Sequence, residues 1–361
     1  MGLKLNTQPG IMGVKAYVGG ASEIAGNANA IKLSSNENPL GPSPKAIAAY
    51  SAQAANMHRY PSVDHAALRE LIAQTYKLDM TRILIGCGSD EIISFLCRAF
   101  AGVGDEVLYT EHGFGMYQIS ARLSGATPVS VPENNRVTDV DALLGAVNEN
   151  TRLVFIANPN NPTGTMTPNA EIARLADGLP DGCLLVLDGA YAEFVYGFDG
   201  GASFVEARDN VVMTRTFSKI FGLGGLRIGW GYGPANVMEV LNRLKGPFNV
   251  SGAALAAAKA ALEDETYTEH CRAENEKWRG WLAAELGKIG IPSDPSFANF
   301  ILIRFGSTDE AQAANAHLQN NGLIVRMVAN YNLPQALRIT IGDETACRQI
   351  VTALTEFKAG K

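Results

Sequence analysis

From about residue 82 onward, short apolar runs alternate with stretches of helical periodicity, and no other feature restricts the chain as much. Repeated strand–helix–strand units of this kind require a largely parallel sheet with helices packed over it. Seven runs qualify as strands: "RILIGCG", "DEVLYTE", "ATPVSVP", "RLVFIANP", "CLLVLDGAY", "NVVMTRTFS" and "LRIGWGYG". Between them, segments such as "DEIISFLCRAFA", "GMYQISARLSG", "DALLGAVN" and "NAEIARLADG" carry the apolar spacing of helices. The predicted class is α/β, with a large domain built on one seven-stranded, mostly parallel sheet flanked by helices.

After Pro247 the texture changes. Residues 251–290 are mostly strong helix formers and end at Gly290 and Pro292, which predicts one or two long helices leaving the large domain. Beyond them, "ANFILIRF", "LIVRMV" and "ALRITIG" read as strands, and "DEAQAANAHLQNNG" and "ACRQIVTALTEF" as helices, a smaller α+β C-terminal domain on its own sheet. Residues 1–45 hold neither pattern, and "SSNENPLGPSP" reads as an extended arm. The expected division is therefore an N-terminal arm, 1–45, packing with the small domain; a large domain, 46–247; and a small C-terminal domain, 248–361. A chain of 361 residues has the length for two cores.

Composition removes several classes of function. Net charge is −6, and no Lys/Arg run supplies the basic footprint of a nucleic-acid binder. No window approaches the roughly 18 apolar residues of a membrane span. The N-terminal "MGLKLNTQPGIMGVK" has no apolar signal core, and Asn6 breaks the myristoylation pattern, so a cytoplasmic location is expected. The five cysteines stand singly, with no CxxC, and read as reduced packing residues. The five histidines show no ligand spacing, and no metal is expected.

The chemistry gathers at strand ends. Lys219 follows "NVVMTRTFS" at its C-terminal end, where open α/β sheets place their ligands. Set among apolar side chains, such an amine loses proton affinity and becomes a nucleophile near neutral pH; a lysine capping a surface helix is the plainer alternative. "GLGGLR" is not GxGxxG, because Arg227 stands where the last glycine belongs, which disfavours a dinucleotide-binding oxidoreductase. Asp188 and Tyr191 end a neighbouring strand and Asn161 the one before. An aspartate closing an apolar run is costly to bury unless a cation or donor meets it, and a protonated ring nitrogen would serve; alternatively it caps a helix. "GCGSDE" runs from strand into helix, so the backbone around Gly88, Ser89 and Asp90 can hold a phosphate, although Asp90 also suits a simple N-cap. Arg227, eight residues beyond Lys219, can supply the fixed positive charge such a phosphate requires.

Taken in order, "NPNNPTG", "DGAYAEF" and "TFSKIFGLGGLRIG" resemble the fold-type I pyridoxal-phosphate aminotransferases, over nearly the whole chain. Within that family "LSSNENPLGPSP", "HRYP", "EHGFGMY" and "LRITIG" are most similar to the histidinol-phosphate aminotransferases. The resemblance implies that Lys219 carries pyridoxal 5'-phosphate and shuttles the reacting proton, while Asp188 keeps the pyridine nitrogen protonated. It implies that Tyr191 and Asn161 bond the cofactor's 3′ oxygen, that Phe114 stacks on the ring, and that Gly88, Ser89, Asp90, Thr216, Ser218 and Arg227 surround its phosphate. Tyr60 is implied to reach the phosphate of the other subunit's site, which makes the protein a homodimer with shared sites. For the substrate, Arg338 matches the carboxylate-binding arginine, Arg326 and Tyr17 match phosphate contacts, and Asn161 also touches the substrate. Transamination in two half-reactions with glutamate and 2-oxoglutarate, in histidine biosynthesis, is the implied activity.

Three departures mark this chain: Gly189 where many relatives have glutamate, Gly225 where an alanine–glycine pair is common, and Phe114 for a tyrosine in some relatives. The two glycines remove no group that touches the cofactor, whereas Phe114 keeps the stacking face and loses a hydroxyl, a change that bears on substrate preference. The nearest alternative activity is an aromatic amino acid aminotransferase, because an imidazole pocket with aromatic walls admits a phenyl ring. A decarboxylase on the same fold and a regulator that keeps the domain as a sensor are more distant alternatives.

Overall fold

Strands that are apolar at every position have no solvent-facing side, and a parallel sheet covered on both faces is the arrangement that suits them. The computed structural model describes residues 7–15 and 19–360, and in it the seven predicted runs form one sheet. In chain order the strands are β1 (Ile83–Gly86), β2 (Glu106–Thr110), β3 (Thr127–Val131), β4 (Thr151–Ala157), β5 (Leu184–Asp188), β6 (Val211–Thr216) and β7 (Gly229–Tyr232). Their spatial order is β1-β7-β6-β5-β4-β2-β3. β7 runs antiparallel to both neighbours and the others are parallel, as the mostly parallel reading expects.

Every residue of β5 and β6 is buried. Alternate side chains of one strand feed opposite cores. Val154 and Ile156 of β4 join the helices Ala66–Tyr76, Asn169–Gly178 and Gly252–Leu262 on one face. Leu153, Phe155 and Ala157 join Ser89–Phe100 and Ala235–Leu244 on the other. The pairings Ala157–Asp188 and Asp188–Thr214, with Gly229 between Gly86 and Thr216, bring the strand ends that carry polar groups to one edge of the sheet.

A second sheet consists of β8 (Phe300–Arg304), β9 (Arg326–Val328) and β10 (Leu333–Thr340), antiparallel in the order β8-β10-β9. It has its own core, with Ile301, Ile303, Leu337 and Ile339 packed on Leu318, Ile350 and Leu354. The helix Glu265–Lys288 joins the two units, with Cys271 in the first core and Trp278, Leu282 and Leu286 in the second. The arm attaches to the smaller sheet. Ile31–Lys32 pairs in parallel with Leu323–Ile324, Leu33 enters the second core, and the Thr340 N–H donates to the Leu33 carbonyl at 3.0 Å.

A buried ion pair is anchored in the large sheet. Arg215 of β6 is 2% exposed, donates to Glu193 Oε1 through Nε at 3.0 Å and Nη2 at 2.8 Å, and to the Asp199 carbonyl at 3.0 Å. The rings of Tyr76 and Trp230 lie 4.9 and 5.6 Å from its guanidinium carbon. A buried pair of this kind is costly to break at one end, because the other charge is left without a partner. Glu193→Gln is expected to lower stability in urea denaturation by about 3 kcal/mol. The double variant Glu193→Gln/Arg215→Met should recover much of that loss, and a single variant as stable as wild type would show that the pair is not coupled.

Candidate active site

The turn after β1 sets the first part of the site. Gly88 takes φ 80°, and a Cβ there would lie 2.4 Å from Arg227 Nη2, so only glycine lets the guanidinium lie against this turn. The helix Ser89–Phe100 begins at the next residue, and the N–H groups of its first turn are free for an anion. Arg227 reaches across this turn: Nη2 lies 3.1 Å from Asp90 Oδ2, and Nη1 donates to Ser218 Oγ at 3.3 Å and the Gly224 carbonyl at 3.1 Å. Thr216 Oγ1 donates to Ser218 Oγ at 2.9 Å. Hydroxyls, backbone donors and one guanidinium thus converge beyond the ends of β1 and β6.

Lys219 follows β6 by three residues, and its Nζ donates to the Ser35 carbonyl at 3.3 Å and lies 5.8 Å from the Tyr191 ring centre. Burial pushes its amine down to about 8, and the nearby Arg338 acts in the same direction. Asp188, at the end of β5, is 4% exposed. Its carboxyl accepts from the Tyr117 hydroxyl at 2.8 Å, the Ala190 N–H at 3.2 Å and the Thr214 hydroxyl at 3.3 Å. Burial outweighs these neutral donors and pushes its carboxyl up to about 6. A carboxylate held this way is stabilised by any cation brought against it.

The arm and the small sheet close the other side. The Tyr191 hydroxyl accepts from Asn36 Nδ2 at 2.9 Å, and the Asn36 N–H donates to Thr340 Oγ1 at 2.9 Å. Arg338 of β10 is 6% exposed; it donates to Asn161 Oδ1 at 2.5 Å and to the Ser34 carbonyl at 2.8 Å, with its guanidinium 5.4 Å from the Phe300 ring centre. Arg326 sits directly opposite it in the β9–β10 register. Phe114 packs edge-on against Tyr117, which stacks on Phe155 at 4.8 Å.

One cavity of about 350 Å³ is lined by Ser89, Asp90, Phe114, Asn161, Asp188, Tyr191, Thr216, Ser218, Lys219, Arg227, Arg326 and Arg338. Gly88 stands behind it, against Arg227. Tyr60 is elsewhere, 81% exposed and stacked on Phe248 at 4.4 Å, and Tyr17 lies outside the described residues. Sequence reasoning assigned no role to Ser34, Ser35 and Asn36, although it singled out their stretch, nor to Tyr117, Thr214 and Tyr331. A tyrosine on the apolar stripe of a helix gives no sign that its hydroxyl meets a carboxylate.

The residues fit pyridoxal phosphate. The cavity offers an amine of lowered proton affinity for its aldehyde, a cradle of donors for its phosphate, and in Asp188 a buried carboxylate that a ring cation would satisfy.

Known proteins resemble this chain in sequence and in fold. A family model described as aminotransferase class I and II matches residues 28–354. A histidinol-phosphate aminotransferase of Dinoroseobacter shibae is 64% identical over 356 residues, covering 99% of this chain and 99% of the relative. One from a Ruegeria species is 63% identical over 357 residues, with the same coverage. Among solved structures, histidinol-phosphate aminotransferase from Sinorhizobium meliloti in complex with pyridoxal-5'-phosphate superposes with a TM-score of 0.86 at 28% identity, over 92% of this chain and 91% of that one. Matched along its length in sequence and in fold, the chain belongs to the aminotransferase class I and II family.

Proposed function

We propose that the protein transfers an amino group between glutamate and imidazole-acetol phosphate, giving histidinol phosphate and 2-oxoglutarate, as a step of histidine biosynthesis. The observation that carries this reading is the identity of 64% and 63%, over 99% of the chain, to relatives named for that reaction. The substrate end of the cavity supports it, because Arg326 and Arg338 lie opposite each other on β9 and β10. Two guanidinium forks suit a substrate phosphate and a dicarboxylate.

When bound, pyridoxal phosphate supplies the electron sink for the pair left behind as the substrate's Cα–H bond breaks. Ser89, Thr216, Ser218 and Arg227, with Asp90 fixing the guanidinium and Gly88 giving it room, would hold the cofactor's phosphate. Asp188 would pair with the ring nitrogen and favour its protonated form. Asn161 and Tyr191 would hold the ring oxygen, with Asn36 orienting the Tyr191 hydroxyl, and Phe114 would cover the ring face. Lys219 Nζ, neutral for part of the population near pH 8, would take the proton from Cα of the amino donor in one half-reaction and deliver a proton to Cα of the acceptor substrate in the other. Arg338 binds the carboxylate of glutamate, whereas Arg326, together with Tyr17, binds the phosphate of the other substrate.

Tyr60, Met57, Val63, Tyr50 and Ile47 are exposed apolar residues close together in the chain. We read them as the surface on which two copies pair, with Tyr60 reaching the partner's phosphate cradle. The same reading divides the chain into arm (1–45), large domain (46–247) and small domain (248–361), with the correction that the helix Gly252–Leu262 and Cys271 pack in the large core, so the large unit extends past residue 247; it also takes the enzyme to be cytoplasmic. Among the described residues no helix is long and apolar enough to cross a membrane.

Four outcomes are expected. Acylation of Lys219 in cofactor-free protein, followed by peptide mass spectrometry, should rise with pH and level off above an apparent pKa of about 8, since the neutral amine is the reactive form. A rate still climbing toward the ordinary lysine range would refute a desolvated amine. Asp188→Asn should keep the fold and bind cofactor, yet slow turnover by about a thousandfold, and a near-normal rate would move the ring-nitrogen partner elsewhere. Conversion of the holoenzyme's visible absorption band should be faster with histidinol phosphate than with phenylalanine, and the reverse order would make the protein an aromatic amino acid aminotransferase. Lys219→Ala should abolish that band.

A further inference from the structure

A second cavity, of about 780 Å³, opens beside the first and shares Arg326 with it. Three parts of the chain build its wall: the arm at Gly13, Val14 and Lys15; one face of the helix Met116–Leu123, carrying Gln118, Ile119 and Arg122; and the stretch from Arg326 to Asn332. Lys15, Arg122 and Arg326 are the cations of that lining, and among the described residues no carboxylate belongs to it. The arm is docked against Arg122 itself. At Gly10, with φ 85°, a Cβ would lie 2.2 Å from the Arg122 carbonyl oxygen, and one at Gly13 would lie 3.6 Å from Arg122 Nη1.

Elsewhere the molecule is acidic, with a net charge of −6, and its overall field repels anions. A concave cluster of three cations beside the active site reverses that field locally, where low-dielectric walls concentrate it. We propose that this cavity is an antechamber that captures the phosphate end of the incoming substrate, with Arg122 as its main contact and Lys15 as its second, before Arg326 takes the phosphate into the catalytic cavity. This inference rests on the reading of a phosphorylated substrate given above. Arginine suits the task, because its planar fork engages two phosphate oxygens and its charge does not titrate. Arg122 and Lys15 act on arrival and selection, so their removal is felt in kcat/KM at low ionic strength, where exposed charges are least screened.

The test compares holoenzyme of wild type, Arg122→Gln, Arg122→Lys and Lys15→Gln in two assays. The first is kcat/KM for histidinol phosphate at ionic strengths of about 0.02 and 0.3 M. The second is calorimetric binding of inorganic phosphate, which requires no turnover. Arg122→Gln should lower kcat/KM about tenfold at the lower ionic strength and much less at the higher, with the loss in KM rather than kcat. It should also weaken phosphate binding, Arg122→Lys should restore most of both, and Lys15→Gln should move both in the same direction by less. Phosphate binding that is indifferent to Arg122, or a loss of kcat/KM independent of salt, would overturn the antechamber. Wild type that fails to turn over histidinol phosphate but binds inorganic phosphate through Arg122 would instead refute the substrate assignment and support the antechamber.

Discussion

An amine and a carboxylate are buried at one edge of a single parallel sheet, and the rest of the structure follows from that burial. Lys219 and Asp188 stand at the ends of neighbouring strands, and loss of water drives their proton affinities toward each other, the amine down to about 8 and the carboxyl up to about 6. Burial is the largest cause of both shifts, and Arg338 adds to the lowering at Lys219. A sheet covered by helices on both faces removes the solvent, while its carboxyl edge leaves an opening where a ligand can enter.

Groups placed this way must be held, and the core does the holding. Asp188 is fixed by Tyr117, whose ring stacks on Phe155 inside the large core, and by Thr214 on the adjacent strand. On the other side, Asn36 and the Ser34 and Ser35 carbonyls come from the arm, and Arg338 comes from the small sheet. Because the arm is hydrogen-bonded to Thr340 and enters the second core through Leu33, it closes the site as a part of the small unit. A small movement of that unit would therefore reach Lys219 and Tyr191 together.

Charge is distributed with the same economy. The chain is acidic overall, but the cavity is lined by Arg227 beside the turn after β1 and by Arg326 with Arg338 on β9 and β10. The other interior cation, Arg215, is matched by Glu193 and enclosed by Tyr76 and Trp230, so it adds rigidity to β6 without presenting free charge to the site. Anions entering the cavity therefore meet guanidinium groups from both the large and the small sheet units.

The sequence by itself determined the seven strands of the large sheet, most plainly the central parallel ones, because a fully buried strand writes itself as a largely apolar run, as "LLVL" and "VVM" do. It also determined that Lys219, Asp188 and Asn161 end such runs, which is why these residues could be singled out before any contact was known. Only the tertiary structure decided their partners. That Tyr117 donates to Asp188 across 71 positions, and Arg338 to Asn161 across 177, depends on strand order and on how the small sheet docks. Of the partners, Tyr117 lies in a local pattern that reads as a plain core helix and Arg338 in one that reads as a plain strand. Local periodicity reports which face of an element is buried; what the buried group meets is fixed by packing between elements distant in the chain.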